Sequence, residues 1–180
     1  KPTRHQVRVT EREQTFTFPM AQKPNLMIFD ANRALLCQRE DEKTDEEFIF
    51  QYKVGPKFLD RYEALQKLAY STSPSAKAVF KDALNDKFWV IRAIAINYVE
   101  DNTDPVVMQR VREMAANDPR SQVRGVALDK LAELEDEGAL AAAKKAIEQD
   151  SSYTVIASGL QALVVIDQET ALTYAQKLEN

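Results

Sequence analysis

Three aspartates, Asp86, Asp118 and Asp150, stand 32 residues apart. A periodic row of carboxylates has two chemical uses: functional acids lined up by a repeat, or side chains that satisfy the open amides at helix starts. The residues that follow bear on the choice. The blocks read DKFWVIRAIAINYV, DPRSQVRGVALDKL and DSSYTVIASGLQAL. Five residues after each aspartate comes a β-branched residue (Ile91, Val123, Val155), followed by Arg92, Arg124 and then Ile156. Nine after it comes a small residue (Ala95, Ala127, Gly159), and ten after it an aliphatic one (Ile96, Leu128, Leu160). A weaker copy lies upstream, where Arg61, Ala64 and Leu68 repeat the spacing of Arg92, Ala95 and Val99. This period predicts a stacked array in which the aspartates cap helices and the arginines reach an acid or carbonyl of the next unit.

The other reactive residue types lack partners. Ser71, Ser73, Ser75, Ser121, Ser151, Ser152 and Ser158 are available nucleophiles, but His5 is the single histidine and is expected to be exposed or packed on a sheet. One histidine and one cysteine, Cys37, build neither a disulfide nor a multi-cysteine zinc site. Cys37 is expected to be a small core residue. Four scattered glycines, Gly55, Gly125, Gly138 and Gly159, make no phosphate-cradling loop. The acidic stretch 39–47 fits no calcium loop and reads as a solvated junction, with Thr44 and Glu47 forming a capping box. Glu133, Glu135, Asp136 and Glu137 likewise read as solvated helix faces or caps. Trp89, beside Phe88 at the start of a helix, is expected to pack between repeats. The sequence therefore assigns no catalytic, cofactor-binding or metal-ligating residue.

The elements that position these residues fall into two stretches. Residues 1–43 alternate in the manner of short strands: QVRVT, TFTFPM, NLMIFD and ALLCQ, with turns at Lys23-Pro24-Asn25 and Asp30-Ala31-Asn32-Arg33. They predict a short antiparallel β segment, the end of a truncated sandwich whose other strands lie elsewhere. Residues 44–180 carry helical periodicity, with helices expected near 44–53, 57–69, 74–84, 87–100, 105–116, 119–134, 137–148, 151–166 and 168–178. Ser73-Pro74, Asp104-Pro105 and Asp118-Pro119 each place a capping side chain before a proline at the first helical position. Phe58, Leu59, Tyr62, Leu65 and Leu68 form one apolar face of the second helix. The small residues Ala64, Ala95, Ala127 and Gly159 are expected where neighbouring second helices approach closely.

Composition fits a soluble domain: 180 residues, 44% hydrophobic, 29% charged, net charge −4. No apolar run approaches the ~18 residues of a membrane span, and the polar opening is no signal peptide. Because the chain opens on Lys1 without a methionine, it reads as a processed or excised piece. The acidic balance disfavours nucleic-acid binding through Lys144, Lys145 and the repeat arginines. An unpaired cysteine is compatible with a cytoplasmic or a periplasmic protein.

Asp, then an aliphatic-Arg pair five and six residues on, then Ala three residues after the Arg, resembles the HEAT repeat consensus. The match is good over Asp86–Val99 and Asp118–Leu131 and fades at Asp150, where Ile156 replaces the arginine and Gly159 the alanine. The expected fold is a HEAT-like α-α superhelix of four to five helical hairpins.

A second resemblance covers the front of the chain. The Phe18-Pro19-Met20 strand end, Lys23-Pro24, the strand into Phe29-Asp30, and Leu35-Leu36 are similar to the closing strands of the β-sandwich in aminopeptidase N-like (gluzincin) zinc metallopeptidases. Asp60-Arg61 with Ala64 is similar to the start of the repeats that follow that sandwich in bacterial members. The resemblance implies the non-catalytic C-terminal domain of a zinc aminopeptidase, which caps the substrate chamber and limits peptide access. Its partners would be the catalytic domain of the same polypeptide and, indirectly, a peptide, without nucleic acid or membrane. The His-Glu-x-x-His and Gly-x-Met-Glu-Asn motifs are absent here, so zinc is expected in the missing catalytic domain. The alternative is a free-standing HEAT scaffold that binds a protein or peptide on its concave face.

Overall fold

A computed structural model describes residues 3–100 and 103–179. The chain forms two compact units, Lys1–Cys37 and Gln38–Asn180. Residues 38–43 group with the helices, where the Lys43 ammonium donates to Asp41 (2.9 Å) and Gln51 (2.8 Å), and Arg39 pairs with Glu63.

The first unit corrects the expected β segment: no strand forms among its described residues. The predicted turn is present. The Arg33 amide donates to the Asp30 carbonyl (2.8 Å), and the Asp30 carboxylate accepts from the amides of Ala34 (3.1 Å) and Leu35 (2.8 Å). Asp30 and Arg33 take positive φ of 45° and 57°, a region that Asp tolerates through its local hydrogen bonds. No ladder flanks this turn. Val9, Met27, Leu35 and Leu36 stay exposed. Alternating apolar residues supply the propensity for a strand, but a strand exists only when a second one pairs its amides and carbonyls. Cys37 is exposed as well, which corrects its expected place in a core.

The second unit contains nine helices among the described residues: α1 Asp45–Val54, α2 Phe58–Leu68, α3 Pro74–Ala83, α4 Trp89–Asn97, α5 Pro105–Asn117, α6 Ser121–Glu133, α7 Ala139–Gln149, α8 Tyr153–Ile166 and α9 Gln168–Leu178. Their starts follow the caps. Thr44 and Glu47 form the capping box of α1. Ser73 accepts from the Ala76 amide and Asp104 from the amides of Val106 and Val107, each ahead of a proline. Asp167 caps α9 through the Thr170 amide. Asp118 differs: Pro119 lies in the link, α6 begins at Ser121, and the Asp118 carboxylate accepts from the Arg120 amide (2.9 Å). It therefore closes the linking turn and does not serve as the residue before a helical proline. Asp86 and Asp150 lie likewise two residues before Phe88 and Ser152, the residues that open α4 and α8, which corrects the expectation that the three aspartates are the caps of those helices.

The helices pair in order as hairpins α1/α2, α3/α4, α5/α6 and α7/α8, with α9 packed on α8. The periodic residues are the core. Ile91, Val123 and Val155, and with them Ala64, Ala95 and Ala127, are all fully buried. Burying one Val, Leu or Ile contributes about 1.5–3 kcal/mol and a cap about 1 kcal/mol, so the caps set the register and the apolar positions hold the array. Leu59 departs from its predicted face and is exposed, whereas Leu65 and Leu68 are buried. Gly159 faces the first helix of its own hairpin: a Cβ there would lie 3.0 Å from the Ala143 carbonyl oxygen and from Ile147 Cγ1. Close approach of second helices falls at Gly125 instead, where a Cβ would lie 2.8 Å from Ser158 Oγ on α8.

Candidate functional site

The periodic aspartates and arginines meet in a ladder along the turns that join first to second helices. On its first rung Arg61 Nε donates to Asp86 Oδ2 (2.7 Å), Nη2 to Oδ1 (3.0 Å), and Nη1 to the Lys57 carbonyl (3.3 Å). On the second, Arg92 makes both bonds to Asp118 at 2.8 Å and reaches the Asp86 carbonyl (2.9 Å). On the third, Arg124 binds Asp150 (2.7 and 2.9 Å) and the Asp118 carbonyl (2.8 Å). Each guanidinium thus joins the acid of the following unit to a carbonyl of the turn before its own helix. The arginine fork matches a carboxylate bidentately, which a lysine cannot do.

The aspartates are also held from their own turns. Phe88, Arg120 and Ser152 each donate a backbone amide to the aspartate two residues before (2.8, 2.9 and 2.9 Å). Every carboxylate is therefore held by two guanidinium bonds and one amide, Asp86 by the Tyr52 phenol as well, and none is poised to move a proton. Burial pushes the Asp118 carboxyl up, but the Arg92 hydrogen bonds, the Arg120 amide and the Arg92 charge outweigh it and hold it below the ordinary range. Asp150 is likewise held low, chiefly by its bonds to Arg124, whose own pKa is raised by the same pairing. The phenol of Tyr52 hydrogen-bonds Asp86 (3.4 Å), and burial followed by the Asp86 charge pushes it up.

A second set of ion pairs, unforeseen in the sequence, links first helices. Asp136, expected on a solvated helix face or at a cap, is buried: Arg112 on α5 binds it through Nε (2.8 Å) and Nη2 (2.6 Å), and it accepts from the amide of Gly138, the residue that opens α7 (2.9 Å). One unit earlier Lys81 on α3 pairs with Asp104 (2.6 Å). Asp104 and Asp136 are themselves 32 residues apart, a signal that the surrounding acidic residues masked. The Arg112 hydrogen bonds hold Asp136 below the ordinary carboxylate range.

These shifts give a pH dependence with a definite sign. Asp118, Asp136 and Asp150 are stronger acids folded than unfolded. Their contribution is complete above the unfolded pKa of about 4 and is lost as pH falls through the lower folded values. The expected urea midpoint is flat between about pH 7 and 5 and declines below about pH 4. A midpoint at pH 3 equal to that at pH 7 would contradict the ladder.

The remaining candidates stand apart. His5 lies against the Phe18 ring, with centroids 4.7 Å apart. Ser71 and Ser73 both hydrogen-bond Asp45, and Ser73 also caps α3. Among the described residues no three His, Cys, Asp or Glu side chains are grouped to hold a metal ion. Phe88 packs between units on the Phe58 ring (4.2 Å), and Trp89 is half-buried against the core. A shallow cleft of about 360 Å³ opens beside the third rung, lined by Asn117, Asp118, Arg124, Gln149, Asp150 and Ser151. The ionic groups in its wall already bind one another. Among the described residues no helix is long and apolar enough to cross a membrane.

Residues 54–132 match the family described as HEAT repeats. The matched stretch holds all three ladder arginines, in keeping with a helical repeat scaffold. No curated protein and no solved structure matches the chain.

Proposed function

We propose that the chain is a non-catalytic helical scaffold and that, in its parent polypeptide, it forms the C-terminal wall of the substrate chamber of a zinc aminopeptidase. The observation that carries this reading is the pairing, in one chain, of a repeat array with a strand-patterned segment that exposes Val9, Met27, Leu35 and Leu36. Such a segment buries its apolar residues only when it pairs with strands from elsewhere, as the closing strands of a sandwich do. The order, strand-type segment and then repeats, is that of the aminopeptidase N-like enzymes. In this role the array limits which peptides enter and supplies no reacting group. The residues present do not fit a zinc site, since the single histidine lies tilted against the Phe18 ring.

Two measurements test the proposal. The purified chain is expected to contain no stoichiometric zinc and to release no amine from an aminoacyl anilide. Chelator-sensitive hydrolysis by the chain alone would overturn the scaffold reading. The native polypeptide, captured with an antibody to this chain, is expected to be several hundred residues longer, to carry zinc and to cleave the same anilide. A native polypeptide without zinc or activity removes the peptidase parent.

A free-standing scaffold is the second reading, favoured by the match of residues 54–132 to HEAT repeats. Gln66, Asn97, Asp129 and Gln161 recur at one register of the second helices, and all are exposed. They form a polar row that a peptide could follow.

A further inference from the structure

The 32-residue register runs on through α9. Ala139, Leu140, Ala143 and Lys145 of α7 correspond to Ala171, Leu172, Ala175 and Lys177 of α9. Burial follows the correspondence on one side of the helix, since Ala139 and Ala171 are both buried. It fails on the other. Ala143 is fully buried beneath α8 and Ala146 is 7% exposed, whereas their counterparts are the half-buried Ala175 and Leu178, which is 50% exposed.

The same break occurs on α8. Gly125 of α6 is covered by Ser158 and Thr154 of α8, and Leu128 and Ala132 of α6 are 1% and 2% exposed. One period later Ala157 is exposed, Leu160 half-buried and Val164 44% exposed. The residues that carry α8 on α6 and α7 thus have open equivalents on α8 and α9. They are apolar and adjacent along each helix; Ala157, Val164 and Leu178 are exposed, while Ala175 and Leu160, the latter packed on the core cluster, are half-buried. Val165 and Leu172, each 61% exposed, extend the patch.

We infer that the surface between α8 and α9, formed by Ala157, Leu160, Val164, Leu172, Ala175 and Leu178, is the seat of one amphipathic helix laid as α8 lies on α6 and α7. The occupant follows from continuity with the α6/α7/α8 interface. The buried residues of α8 are Val155, Gly159, Ala162 and Leu163, with Gly159 against Ala143 and Ile147 of α7, so the incoming helix carries an aliphatic stripe with a small residue at its centre. Its recognition is apolar. At the position of Arg92 and Arg124, α8 has Ile156, whose side chain donates no hydrogen bond, so the incoming helix needs no aspartate at its entry. A long exposed apolar face of this kind marks an interaction site, and repeat arrays close such faces with a further helix or a polar cap. The inference does not depend on the peptidase reading.

The test appends a copy of residues 117–134, which contains α6, directly after Asn180 of the full chain, so that the new helix enters in the 32-residue register. The expected result is a rise in Tm of about 5 °C or more over a control carrying the same added residues in scrambled order, with the oligomeric state unchanged. Val164→Asp in the extended chain is expected to remove that rise while changing the Tm of the unextended chain little. No gain over the scrambled control would overturn the inference. So would a concentration-dependent dimer of the unextended chain that Val164→Asp dissociates, since the occupant would then be a second copy.

Discussion

Replacing Arg92 with Met is expected to cost about 3–5 kcal/mol of folding stability, the loss typical when one partner of a buried ion pair is removed. The magnitude comes from what is left behind. The Asp118 side chain is 2% exposed, and without Arg92 it keeps one amide bond and loses two charge-assisted ones. The Asp86 carbonyl loses its guanidinium donor as well. Arg92→Lys is expected to recover only part of the loss, since an ammonium cannot make the bidentate contact and reach the carbonyl at once. Arg92→Met with Asp118→Leu should be more stable than Arg92→Met alone, because no charge then remains buried without a partner. Urea titration by circular dichroism measures all three. A loss under about 1 kcal/mol for Arg92→Met would place this pair with ordinary surface ion pairs.

Ala127→Arg is expected to be at least as damaging, with a loss of about 4 kcal/mol or more, or no folded protein. Ala127 is fully buried on α6, among Val123, Leu128 and Leu131 of the same helix. A guanidinium there meets both costs together: its volume forces the helices apart, and its charge is taken from water with no acid provided. Gln122→Arg on the exposed face of the same helix is the control, expected to change stability by no more than about 0.5 kcal/mol. The comparison separates burial from a general intolerance of α6 to arginine. A loss below about 1 kcal/mol at Ala127 would mean that the face buried in the array is a different one.

Asp86, Asp118 and Asp150 show why a periodic row of acids was legible while its chemistry was not. Their spacing and the arginines six residues on predicted acceptors and donors in a ladder, and the bonds of Arg61, Arg92 and Arg124 are of that kind. The bidentate geometry, and the fact that each arginine spans two units, required coordinates. Asp136 lay hidden among Glu133, Glu135 and Glu137, because nothing in a run of acids says which one a distant arginine will select. Leu59 and Cys37 are apolar in type yet exposed, since burial depends on what the rest of the chain places over a residue.

The sequence by itself determined the nine helices, the caps at Thr44, Ser73 and Asp104 and the 32-residue register, because helix hydrogen bonds and caps lie within four residues of one another. It could not determine whether QVRVT and TFTFPM become strands. That depends on partners far along the chain or outside it, and in the structure their amides find no ladder. Only the tertiary structure decided which acid each arginine holds, which small residue admits a neighbouring helix, and that the apolar side of α8 and α9 stands open. Each of these is a contact between residues distant in sequence, where packing and desolvation, not local propensity, set the outcome.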